Sequence, residues 1–136
     1  MKASRHTVFI YGSLLPGHSN HEVVSASILA SRPGRIAGRL VDYGPYPALL
    51  RDQEAALNNR SVRGLWIEVD APGLIHMDEL EGFLGIEESN DYHRVWVTDL
   101  DVPEQHGWVY IWDSARDCIS IEDDYWPVYY ARKNGA

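Results

Sequence analysis

The chain has 136 residues, with 12 Lys and Arg against 20 Asp and Glu, for a formal net charge of −8. That length suits a single domain, residues 1–136, able to bury a core without staples. The acidic balance argues against a nucleic-acid partner, which needs a basic face. Cys118 is the lone cysteine, so neither a disulfide framework nor a cysteine metal cluster is expected. No stretch approaches the roughly 20 apolar residues of a membrane span. The basic N-terminus carries an apolar run too short for a signal peptide. A cytoplasmic protein with no membrane partner is expected.

The first element is a buried strand over Thr7–Tyr11, short, β-branched and aromatic, ending at Gly12. His21–Ser31 suits a helix capped by Asn20. Ile36–Val41 and Pro47–Leu50 read as strands around the turn-rich Asp42-Tyr43-Gly44-Pro45. Arg51–Arg60 reads as the longest loop. Val62–Val69 is a further strand. Leu74–Leu84 then switches to helical spacing through Leu74, Met77, Leu80 and Leu84. Tyr92–Leu100 and Gly107–Trp112 return to strand patterning. In the tail, Pro127 argues against a regular helix. About six strands with few helices between them disfavour a doubly wound parallel sheet. The expected class is α+β, a small mixed β-barrel with flanking helices.

The segment after the first strand, Gly12 to Ser19, spells G-S-L-L-P-G-H-S, a P-loop pattern without its lysine. Pro16 removes an N–H from any phosphate cradle, and His18 is too short to replace lysine. The polyphosphate reading is therefore set aside. Two readings stay open, a plain turn and a concave anion site of main-chain N–H groups at the strand end. In the second, Gly12 permits close approach, Ser13 adds a hydroxyl and Tyr11 a ring.

The "HMDELEGF" segment supplies the candidate acid. With Leu74 at zero on a helical wheel, Met77 lies at about 300° and Glu81 at about 340°, inside the apolar stripe. Asp78 falls at about 40°, on the margin, and Glu79 at about 140°, outside it. A carboxylate on the buried stripe is either a structural ion-pair partner, with Arg94 as the natural cation, or a general base tuned by desolvation. The six histidines form no H-E-x-x-H pair, and no G-x-S-x-G elbow is present. No metal and no cofactor are expected.

Four segments in order carry a family resemblance. "VFIYGSLLPGHSNH", "RIAGRLVDYGPYPALL", "VRGLWIEVD" with "HMDELEGF", and "DYHRVWV" span about Val8–Trp112. Together they resemble the γ-glutamylcyclotransferase-like superfamily, in its short branch that includes γ-glutamylamine cyclotransferases. The resemblance implies a small mixed β-barrel flanked by helices. It implies release of 5-oxoproline and a free amine from a small γ-glutamyl amide. By the same resemblance Tyr11, Gly12, Ser13 and Leu14 bind the glutamyl moiety, and Glu81 is the catalytic carboxylate. Arg94, in the Tyr-x-Arg strand, joins the substrate-binding set. The tail from Asp123 onward matches loosely, which leaves the leaving group open. The alternatives are an inactive family member that binds a small ligand, and an interaction domain displaying Tyr125, Trp126, Tyr129 and Tyr130.

Overall fold

The computed structural model describes residues 5–12, 14–18, 21–44, 46–81 and 92–134, without the side chains of Val23, Val24, Leu80 and Glu81. The strands, in chain order, are β1 (Arg5–Ile10), β2 (Ile28–Ala37), β3 (Arg39–Asp42), β4 (Pro47–Leu50), β5 (Ser61–Asp70), β6 (His93–Thr98), β7 (His106–Ile111) and β8 (Ile119–Ile121). The helices are α1 (His21–Val24), α2 (Gln53–Leu57), α3 (Ala71–Glu81) and α4 (Trp126–Lys133). The α+β class holds. The expected barrel does not appear among the described residues. The strands form a five-stranded sheet, β2-β5-β1-β7-β6, and a separate three-stranded sheet, β4-β3-β8.

β1 is the central strand, antiparallel to β5 from Arg5↔Asp70 to Ile10↔Leu65 and parallel to β7 at Val8↔Trp108. Alternation along it feeds two cores. Phe9 joins Val62, Trp66, Leu40, Leu49, Ile121 and Trp126 between the two sheets and α4. Val8 and Ile10 face the other way, to Ile67, Val69, and Leu74 and Met77 of α3. Cover on both faces explains why this strand reads as an unbroken apolar run.

The differences from the sequence expectations have physical causes. The strand expected over Ile36–Val41 is two strands, parted at Gly38, whose φ of 154° is open to glycine. The expected His21–Ser31 helix shortens to α1 and a 3-10 turn at Ser25–Ser27, because Ile28 begins β2 (Asn20, its expected cap, lies outside the described residues). β2 is an edge strand with alternating exposure, so it lacks the apolar run that marks β1, and its edge position tolerates Pro33. The Arg51–Arg60 loop contains α2, capped by the Asp52 carboxylate, which accepts from Ala55 N–H at 3.0 Å. Asp52 also takes the guanidinium of buried Arg39 at 2.8 Å.

α4 overturns the reading of Pro127 as a helix breaker. Pro127 stands in the first turn, where the missing N–H would have had no partner inside the helix. Arg132 and Lys133 close its last turn, which suits the negative end of the helix. The tail is also not an exposed aromatic patch. Trp126 is wholly buried and Tyr125 and Tyr129 are half-buried, which leaves Tyr130 as the exposed ring of the four.

Candidate active site

The loop after β1 is anchored at both of its described ends. Tyr11, at the strand exit, is buried, and its hydroxyl donates to the main-chain oxygen of Tyr110 at 2.6 Å. The same hydroxyl accepts from Leu49 N–H at 3.3 Å. Trp112 N–H donates to Leu49 O at 3.0 Å, so β4 and the end of β7 meet around the Tyr11 phenol. Gly12 abuts Pro47, and a Cβ at position 12 would lie 2.6 Å from Pro47 Cγ. Pro47 O in turn accepts the Tyr92 hydroxyl at 2.9 Å.

Beyond Gly12 the chain folds into successive turns, with Leu15 N–H on Gly12 O and His18 N–H on Leu15 O, each at 3.0 Å. The ring of His21 donates from Nδ1 to Leu14 O at 2.8 Å, which fixes its tautomer. Leu14 and Leu15 are both buried, in the core that holds Leu74 and Met77. That packing sets the loop against α3. His18 lies edge-on to Tyr130 of α4, with ring centroids 5.5 Å apart, and burial pushes the His18 pKa below its ordinary value. The residue that stood in the lysine position of the P-loop pattern is therefore in contact with the C-terminal helix.

α3 supplies the acids. Asp70 caps its start by accepting Gly73 N–H at 2.8 Å. Leu74 and Met77 point into the core, as the wheel required. Asp78, on the margin of the wheel, is drawn inward. It accepts the Tyr110 hydroxyl at 2.6 Å and Arg94 Nη1 at 2.9 and 2.8 Å on its two oxygens. Arg94 also lies over the Trp108 ring, 4.7 Å from its centroid. Glu81 ends α3, and its side chain, like the whole of Ser13, lies outside the described residues.

Of the expected site residues, Tyr11, Gly12 and Leu14 thus sit together at the β1 exit. Arg94, on β6, is paired with Asp78 of α3. Sequence reasoning missed Asp78 and Tyr110. The marginal wheel position of Asp78 was one signal. The other was Tyr110 as a polar-tipped aromatic between the apolar Val109 and Ile111.

α4 is fastened by Asp42 at the β3–β4 turn. Asp42 accepts the Tyr129 hydroxyl at 2.5 Å, Lys133 Nζ at 2.9 Å and Gly44 N–H at 2.7 Å. Burial works against the charge on Asp42, but these donors outweigh it and hold its pKa below the ordinary value. Among the described residues no group of three or more His, Cys, Asp or Glu could hold a metal ion. None of their helices is long and apolar enough to cross a membrane.

The family described as gamma-glutamyl cyclotransferase, AIG2-like, matches residues 8–128. The chain is 37% identical over 125 residues to gamma-L-glutamyl-butirosin B gamma-glutamyl cyclotransferase from Niallia circulans, covering 90% of this chain and 76% of that protein. Its fold is similar to that of an AIG2-like protein from Mus musculus, with a TM-score of 0.59 and 25% identity over 79% of this chain and 77% of that one. It is also similar to YkqA from Bacillus subtilis, with a TM-score of 0.73 and 20% identity over 98% of this chain. There the chain spans 44% of the structure it matches, and the likeness is one of fold. The chain belongs to the AIG2-like gamma-glutamyl cyclotransferase family.

Proposed function

We propose that this protein is a γ-glutamyl cyclotransferase that releases 5-oxoproline and a free amine from a small γ-glutamyl amide, with Glu81 as its proton carrier. The observation that supports this reading is the burial of Leu14 and Leu15 in one core with Leu74 and Met77. It sets the Tyr11–Leu14 loop beside the helix that ends at Glu81. The name of the Niallia circulans relative describes a γ-glutamyl group on butirosin B, which makes γ-glutamylated natural products the first substrates to try.

The chemistry asks little of the protein. The α-amine of the glutamyl group must attack its own γ-carbonyl carbon. At neutral pH that amine is an ammonium and cannot attack. Glu81 takes a proton from it, the nitrogen closes on the carbonyl, and the bond to the departing nitrogen breaks as that nitrogen receives the proton from Glu81; the second proton that the ring nitrogen sheds in becoming an amide is carried over in the same way, so the amine leaves as an ammonium. The proton is moved, not consumed, so one carboxylate serves both steps. Main-chain N–H groups of the Tyr11–Leu14 loop hold the substrate carboxylate or the developing oxyanion. They also keep the glutamyl chain curled so that amine and carbonyl meet. The Tyr11 phenol, engaged with Tyr110 and Leu49, serves as the anchor of that loop. Ser13 contributes its hydroxyl to binding in this reading.

The test is a panel of γ-glutamyl amines, γ-glutamyl amino acids and γ-glutamylated natural products, read out as 5-oxoproline. On a substrate that responds, Glu81→Gln should lower kcat by about 10²–10⁴-fold. Ser13→Ala should raise KM more than it lowers kcat. Wild-type turnover by Glu81→Gln removes Glu81 from the mechanism. A panel that yields no 5-oxoproline, yet contains a compound that binds, favours a non-catalytic small-ligand protein.

A further inference from the structure

We propose that Tyr110 is a positioning residue that ties the substrate loop to the catalytic helix, acting on Glu81 through Asp78. This rests on the reading of Glu81 as the proton carrier. Tyr110 is 2% exposed, and both its main-chain oxygen and its hydroxyl are engaged. Its main-chain oxygen accepts the Tyr11 hydroxyl, and its own hydroxyl donates to Asp78, each at 2.6 Å. One residue of β7 therefore touches both the β1 exit and α3.

The second support is register. Arg94 of β6 and Tyr110 of β7 are direct cross-strand partners. Residues opposite one another in an antiparallel pair project from the same face. Both side chains reach the Asp78 carboxylate, Tyr110 on Oδ1 and Arg94 Nη1 on both oxygens. Asp78 is thus gripped by two donors from neighbouring strands, and Trp108 backs the guanidinium from its ring face. Charge-assisted bonds of this kind are short and directional.

Asp78 precedes Glu81 by three residues, close to one helical turn. Residues at that spacing share a helix face. Fixing Asp78 therefore fixes the rotation and height of the last turn of α3, which carries Glu81. A contact needed only for stability could grip α3 anywhere along its length. This one grips it a turn before Glu81, from the strand that also anchors Tyr11.

Tyr110→Phe separates the two functions of the residue. It removes the hydroxyl and leaves the main-chain acceptor of Tyr11 in place. On a responsive γ-glutamyl substrate it should lower kcat by about tenfold or more, with KM changed by less than about twofold. Asp78→Asn should fall in the same direction. The double variant Tyr110→Phe/Glu81→Gln should be no slower than Glu81→Gln alone, because the two act as one unit. Amide hydrogen exchange gives a readout independent of turnover. Tyr110→Phe should speed exchange in the last turn of α3 and leave the protection of β1 unchanged. Unaltered α3 exchange overturns the proposal, and so does a kcat loss that is fully additive with Glu81→Gln. A fast Glu81→Gln enzyme instead overturns the reading of Glu81, and the exchange experiment then still decides whether Tyr110 holds the helix.

Discussion

Gly12 and Pro47 are in contact across the gap between the two sheets, so close that a methyl group on Gly12 would lie 2.6 Å from Pro47 Cγ and 2.8 Å from Cδ. Gly12 therefore has a packing reason as well as any ligand reason. Pro47 is itself fixed, since it opens β4 opposite Asp42 of β3 and its carbonyl holds Tyr92. A proline ring has little freedom to yield.

Gly12→Ala should accordingly lower stability by about 1–3 kcal/mol, the usual cost of overpacking a fixed site. Urea unfolding at constant slope measures it. The loop must shift to relieve the contact, so KM on a responsive substrate should rise as well. An alanine variant with the wild-type urea midpoint would show that the loop gives way freely.

Asp99 should confer acid sensitivity at the β6–β7 end. It is 4% exposed, and its carboxylate accepts the Trp66 indole N–H and Arg35 N–H on one oxygen, each at 2.8 Å. Asp101 and Val102 N–H donate to the other, each at 2.9 Å. Burial opposes the charge, but these donors outweigh it and hold the pKa of Asp99 below its ordinary value. The group is charged in the fold at a pH where it is protonated in the unfolded chain. Its contribution is therefore complete above the unfolded value of about 3.9 and is lost as pH falls through the lower folded value. Asp52, held down by the Arg39 guanidinium, acts in the same sense. Urea midpoints measured from about pH 6 down to pH 2 should fall at the acid end. Asp99→Asn should be less stable at neutral pH, with a shallower acid decline. An equally steep decline in that variant would remove Asp99 from the cause.

Asp42 holds α4 through Tyr129 and Lys133. Asp42→Ala should cost about 1–3 kcal/mol, because Tyr129 loses its acceptor and Lys133 its ion partner in a half-buried place. The loss should be local. Limited proteolysis or hydrogen exchange should open Trp126–Lys133 before the sheets. Because Tyr130 of that helix touches His18, KM should also rise. Unchanged protection of α4 would show that Trp126 alone suffices to dock it.

Much of the fold was readable where the burial pattern is simple. The apolar run of β1, the cluster Val62–Val69, the β6 and β7 segments and the start of α3 all lie where periodicity put them. The misses have common causes. β2 is an edge strand whose outer face is wet, α2 is a short turn capped by one Asp, and β8 is three residues long. Such elements draw their stability from partners remote in sequence, and local pattern is weak there. Pro127 was misread because a proline at a helix start and one in a helix interior look alike until the start is known.

The sequence by itself determined the family, through motifs whose residue types the chemistry and the tight turns require. It also determined which face of α3 is apolar, because 3.6 residues per turn sorts Leu74 and Met77 without reference to the rest of the chain. Whether the strands close on themselves was decided only by the tertiary structure. Among the described residues Gly38 parts β2 from β3 of the second sheet, and the Tyr11 hydroxyl with the Trp112 N–H bond to Leu49 O links β4 to the end of β7. That Arg94 pairs with Asp78 was decided there too. The choice of Asp78 depends on cross-strand register, a relation between residues 16 apart in sequence that no local periodicity encodes.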